Sequence, residues 1–73
     1  MSIKVVGVGV MKQFSTDLEV TDPVAVSDLA ARLEMPEELA DELIVVRGHR
    51  KLNEEEFIHD GEEVTLFLQI MGG

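Results

Sequence analysis

The sequence predicts an α+β two-layer roll, one sheet with a single main helix on one face. Three observations point to it. Two apolar stretches near the start alternate with period two, around Val5–Val6 and around Leu18–Val20. A segment with Val26, Leu29, Ala30 and Leu33 at helical spacing follows. The chain then returns to strand patterning at Ile44–Val45–Val46 and at Val64, Leu66, Leu68 and Ile70.

The elements follow in order. Residues 3–10 are expected as the first strand, since Val5, Val6, Val8 and Val10 are β-branched and suit a pleated surface. Apolar residues on both of its faces place it centrally. Gly7 and Gly9 weakly echo a glycine-rich phosphate loop, but the position three after Gly9 is Lys12. A twisted or bulged strand is the simpler expectation. Residues 11–16 are left unassigned. Residues 17–20 alternate polar and apolar, a second strand paired antiparallel with the first. Thr21–Asp22–Pro23 ends it, because proline cannot donate to a ladder.

A helix is expected over 26–34, with Asp28 in its first turn, Arg32 near its end, and a stop before Pro36. Pro36–Glu37–Glu38 reads as a second helical start anchored by Leu39 and Leu43. Residues 44–46 are a buried strand, Gly48 a turn, and Lys51–Leu52 a short returning strand. The polar run Asn53–Glu54–Glu55–Glu56 is expected to lead into one helical turn, with Phe57 and Ile58 pinning it to the core. Asp60–Gly61 is a turn signal, and residues 64–70 form the last strand. On that strand Val64, Leu66, Leu68 and Ile70 share one face, and Thr65, Phe67 and Gln69 the other.

Composition narrows the function. Seventy-three residues make one domain, which buries only about 60% of the surface its unfolded chain exposes. Six basic against fifteen acidic residues give a net charge of −9. That argues against non-specific nucleic-acid binding and against anionic membranes, and favours a basic protein partner. Without cysteine the chain has no disulfide, thiolate metal site or cysteine nucleophile. His49 and His59 lie in different loops with no metal-site spacing, so no metal is expected. No apolar run approaches the roughly 20 residues of a transmembrane helix, and no signal peptide opens the chain, so a cytoplasmic protein is expected. Half of the six basic residues fall within 47–51, read as a solvated hairpin tip, and the acidic runs Glu37–Glu38 and Glu54–Glu56 as solvated faces. No acid–base dyad or nucleophile constellation is present, which argues against an enzyme.

Four stretches carry a family resemblance: Asp60–Gly61–Glu62–Glu63–Val64, Val64–Thr65–Leu66–Phe67, the terminal Gly72–Gly73, and Val26–Ser27–Asp28–Leu29. With the order of elements, the sequence resembles the ubiquitin-like β-grasp sulfur carriers of the ThiS/MoaD group over nearly its whole length. It departs from them where prolines often precede the final glycines, since Leu68–Gln69–Ile70–Met71 stand here, and at Ala25, where a capping threonine is common.

The resemblance implies a β-grasp roll, a mixed four- to five-stranded sheet packed on one main helix, in a single domain over 1–73 with 69–73 as a flexible Gly-Gly tail. It implies that an ATP-dependent adenylating enzyme activates the Gly73 carboxylate, with Gly72 beside it, and that a sulfur donor converts it to a thiocarboxylate. Sulfur would then pass to thiazole synthase or to the large subunit of molybdopterin synthase. Phe67, Gln69 and Met71 would bind partners. No cofactor is bound, ATP being used by the partner, and the chain alone is expected to be monomeric. The residues agree with the chemistry. Glycine lacks a Cβ, so backbone passes through a narrow crevice, and five extended residues reach at most about 17 Å. Two alternatives stay open: a ubiquitin-like modifier conjugated through Gly73, and a non-covalent β-grasp interaction module.

Overall fold

A computed structural model describes residues 1–69. Strands β1 (Ser2–Gly7) and β2 (Thr16–Glu19) form the expected antiparallel hairpin, with Ile3 opposite Leu18 and Val5 opposite Thr16. The first strand is shorter than expected. Past Gly7 the chain turns into a 3-10 helix, Gly9–Phe14, which fills the stretch left unassigned. Gly9 enters it at φ +63°, a left-handed backbone that a side chain resists. At Gly7 an added Cβ would lie 1.8 Å from the Met11 carbonyl oxygen. The two glycines thus let the 3-10 helix fold back over the strand, and Met11 becomes fully buried beneath it. A close backbone approach, rather than phosphate binding, accounts for Gly7.

The chain continues through β3 (Val24–Ala25), α1 (Val26–Arg32), α2 (Glu37–Ala40), β4 (Leu43–Arg47), β5 (Arg50–Lys51), β6 (Phe57–Ile58) and β7 (Glu63–Leu68). The main sheet has the order β2-β1-β7-β4-β5. β7 lies at its centre, parallel to β1 and antiparallel to β4. β3 and β6 make a separate two-stranded ribbon. The inward row Val5–Val64 and the pair Val45–Leu66 meet Val26 and Leu29 of α1 in one core with Ile3, Met11 and Ile58. Leu33 packs against that core half-buried.

α1 ends at Arg32 rather than Glu34. Glu34 takes φ +55°, while its N–H donates to the Ala31 carbonyl and that of Met35 to the Ala30 carbonyl, at 3.1 and 2.9 Å. This is a Schellman ending, with Glu34 at the position glycine usually holds and Met35 tucked into the core.

Two further expectations need correction. Residues 53–56 form an isolated turn closed by the Glu56 N–H on the Asn53 carbonyl, not a helical turn. The chain then enters β6, whose period-two alternation sends Ile58 into the core and leaves Phe57 51% exposed. Ile58 therefore pins this segment without Phe57. The last strand covers Glu63–Leu68, and Ile70 lies outside the described residues. Among the described residues no helix is long and apolar enough to cross a membrane.

Candidate functional site

β7 delivers the chain to the sheet end from which residues 69–73 continue, so the site is built around its last turn of pleat. Alternation buries Val64 and Leu66 completely and turns Thr65 and Phe67 to the face away from α1. Phe67 is 37% exposed. Ile44 stands opposite it on β4. On the other side, the Val8 N–H donates to the Leu66 carbonyl at 3.0 Å, which extends the parallel ladder and sets Val8 beside Phe67. Val8, Phe67 and Ile44 form one apolar row, and Val6, Thr65 and Val46 form the next. Val8 and the nearby Val10 are exposed. Large apolar side chains clustered on a solvated sheet face mark a binding surface.

Gln69 follows directly. Its N–H donates to the Glu42 carbonyl at 2.8 Å, so the backbone stays tied to the β4 side one residue past β7. Of the five expected site residues, Phe67 and Gln69 are thus brought to the same end of β7. Met71, Gly72 and Gly73 lie outside the described residues. The sequence reading did not join Val8 and Ile44 to Phe67, because they meet it only through strand register.

The basic cluster over 47–51 forms the hairpin tip expected, exposed from Gly48 to Lys51, but its two arginines also bond to other segments. Arg47 donates from Nη1 to the Phe57 carbonyl at 2.9 Å and to Glu62 Oε1 at 3.2 Å. Glu62 Oε1 also accepts the His59 N–H at 2.7 Å. Arg50 pairs with Glu56, whose Oε2 accepts the Asn53 N–H at 2.8 Å. The Asn53 N–H first, and then the Arg50 guanidinium, hold the Glu56 carboxyl below its ordinary value. Two arginines of the β4–β5 hairpin thereby clamp the loop that runs into β7. Glu56 belongs to that clamp rather than to a solvated acidic face.

Cavities open elsewhere among the described residues. One of about 420 Å³ lies between α1, α2, β4 and β5, and one of about 350 Å³ lies beside β2. Neither is lined by Phe67 or Gln69. Among the described residues no group of three or more His, Asp or Glu side chains could hold a metal ion.

No protein-family model matches the chain, and no curated protein matches it in sequence. Among solved structures it is similar to the crystal structure of SAMP1 from Haloferax volcanii, with a TM-score of 0.66 and 18% identity over 100% of both chains. At that identity the likeness concerns the fold. The five-stranded mixed sheet wrapped on α1 is a ubiquitin-like β-grasp.

Proposed function

We propose that this ubiquitin-like chain is a sulfur carrier whose Gly73 carboxylate is adenylated by an ATP-dependent activating enzyme and then converted to a thiocarboxylate for thiamin or molybdopterin synthesis. The observation that carries this reading is the end of β7. An exposed apolar row centred on Phe67 sits where the central strand hands the chain, through Gln69, toward Gly72–Gly73. A partner that grips this face has the following residues within reach of its own active site.

In the chemistry proposed, a Gly73 carboxylate oxygen attacks the α-phosphorus of ATP and pyrophosphate leaves. A sulfide-level donor then attacks the acyl carbon, and AMP leaves with the bonding pair. The catalytic groups belong to the partner, and the chain is its substrate, acting in the cytoplasm as a monomer. Phe67 and Met71 anchor the partner, and Gln69 places the backbone between them. The absence of side chains at Gly72 and Gly73 leaves the carboxylate oxygen free to attack phosphorus and the acyl carbon open to the sulfur donor. The net charge of −9 steers the chain toward a basic docking surface.

The test compares the chain with a variant carrying one alanine after Gly73, in ATP–pyrophosphate exchange with the activating enzyme captured on the intact chain. Exchange is expected with the first and not with the second, while both melt alike. Equal exchange would overturn the proposal in favour of a non-covalent module. Covalent adducts on a denaturing gel that vanish when Gly73 is deleted would replace sulfur transfer by conjugation to lysines. Phe67→Ala is expected to weaken capture by about tenfold or more.

A further inference from the structure

We infer that the outer edge of β2 is a docking site for an extended basic peptide, which joins the sheet as an added strand. Among the described residues β2 pairs with β1 alone. The direction of its peptide groups follows from the register. The Val20 N–H donates to the Met1 carbonyl at 3.1 Å, and bonded and non-bonded pairs alternate along an antiparallel ladder. Leu18 and Thr16 therefore turn their peptide groups toward β1, and Asp17 and Glu19 turn theirs outward. An outward row of backbone donors and acceptors is a template for another strand.

The side chains define what that strand must carry. On the α1 side of this edge lies the cavity of about 350 Å³, with Phe14, Leu18 and Leu33 among its walls. All three are half-buried, packed against the core yet bordering open space. On the opposite face Asp17 and Glu19 are exposed. An added strand has period two. Alternate side chains would enter the cavity against Phe14, Leu18 and Leu33, and those between would lie beside the two acids. The occupant thus alternates apolar and basic residues. Arg32, at the cavity wall, fixes the phase, because it repels a lysine placed on the cavity side and offers donors to a peptide carbonyl.

Charge favours the same partner. Across the sheet the row Asp17–Lys4–Glu63 sets two acids against one cation. Glu19 lies 3.7 Å from the Met1 ammonium, an exposed pair that solvent screens. Asp22 follows in the next loop, and the chain as a whole carries −9. A second copy of this chain is a poor occupant. Antiparallel self-pairing of β2 would bring Asp17 and Glu19 of one copy against the same acids of the other. The inference does not rest on the Gly73 reading, since β1 separates β2 from β7.

The experiment titrates the full chain with an end-capped hexapeptide of alternating lysine and valine, followed by calorimetry and by amide chemical shifts. The expected shifts centre on the Asp17 and Glu19 amides and on Phe14 and Leu33. A peptide with the same residues in two blocks is expected to bind about tenfold or more weakly. Asp17→Pro removes an outward N–H and no bond to β1, so binding should be lost with the melting curve unmoved. Asp17→Asn keeps that N–H, so binding should weaken modestly and depend less on salt. N-methylation of the peptide at residues facing β2 tests the same bonds from the other side and is expected to abolish binding. Equal binding of the block peptide, unchanged binding after N-methylation, shifts elsewhere on the molecule, or self-association through β2 would each overturn the inference.

Discussion

Substituting Gly7 by alanine should damage this fold more than any other change of one methyl group. The added Cβ would sit 1.8 Å from the Met11 carbonyl oxygen, 2.3 Å from its carbon and 2.9 Å from the Lys12 nitrogen, whereas ordinary contact begins near 3.4 Å. All three obstacles are backbone, so no side-chain rotation relieves them. The 3-10 helix must lift from β1, which also loosens the fully buried Met11. Overpacking of this kind costs about 3 kcal/mol, toward or beyond the upper end of the usual range. A chain of this length has roughly 4–11 kcal/mol of stability in all. With a urea slope of about 1 kcal/mol per molar, the midpoint should fall by about 3 M.

Gly9→Ala provides the comparison. Its Cβ meets nothing within 4 Å, but φ is +63°. Only the left-handed backbone penalises it, by about 1 kcal/mol, which is about 1 M in midpoint. Equilibrium urea unfolding followed by far-ultraviolet circular dichroism measures both. A Gly7→Ala midpoint at or above that of Gly9→Ala would refute the steric argument.

Leu66→Ala, at a side chain with no exposed surface, should cost about 2–5 kcal/mol, whereas Phe67→Ala on the next residue should cost about 1 kcal/mol or less in the same assay. Glu34→Gly relieves a left-handed backbone at the end of α1 and should raise stability by about 1 kcal/mol, read as a higher urea midpoint. The Glu56 carboxyl titrates below its ordinary value of 4.5 in the folded chain because the Asn53 N–H and then Arg50 stabilise its charged form. Its contribution is therefore complete above that value and lost as pH falls through the lower folded one. Glu56→Gln should flatten the stability–pH curve below about pH 4.5, and an unchanged slope in acid unfolding would contradict the clamp.

The parts of the fold legible in the sequence were those with a period. The Val26/Leu29/Leu33 stripe and the Val64/Leu66/Leu68 alternation each repeat often enough to fix an element and its buried face. The ribbon of β3 and β6 has two residues per strand, too few for any alternation to register. The 3-10 helix was hidden because Val8 and Val10 continue the β-branched character of β1. Phe57 was misjudged because hydrophobicity alone does not tell which of two adjacent apolar residues a two-residue strand turns inward. At the candidate site, Phe67 followed from counting along one strand. Its neighbours Val8 and Ile44 come from strands far off in the chain, and only the register of β1 and β4 against β7 brings them to it. Arg47, Arg50 and Glu56 were read as solvated charge, because ion pairing between separate segments leaves no periodic trace.

The most direct test of the functional account is the intact mass of the chain isolated from a sulfur-replete native host, with fragmentation to locate any change. The account requires a species in which one oxygen of the Gly73 carboxylate is replaced by sulfur, and its disappearance when the activating enzyme is deleted. An unaltered Gly73 carboxylate throughout, with the activating enzyme and sulfur donor active, would contradict it.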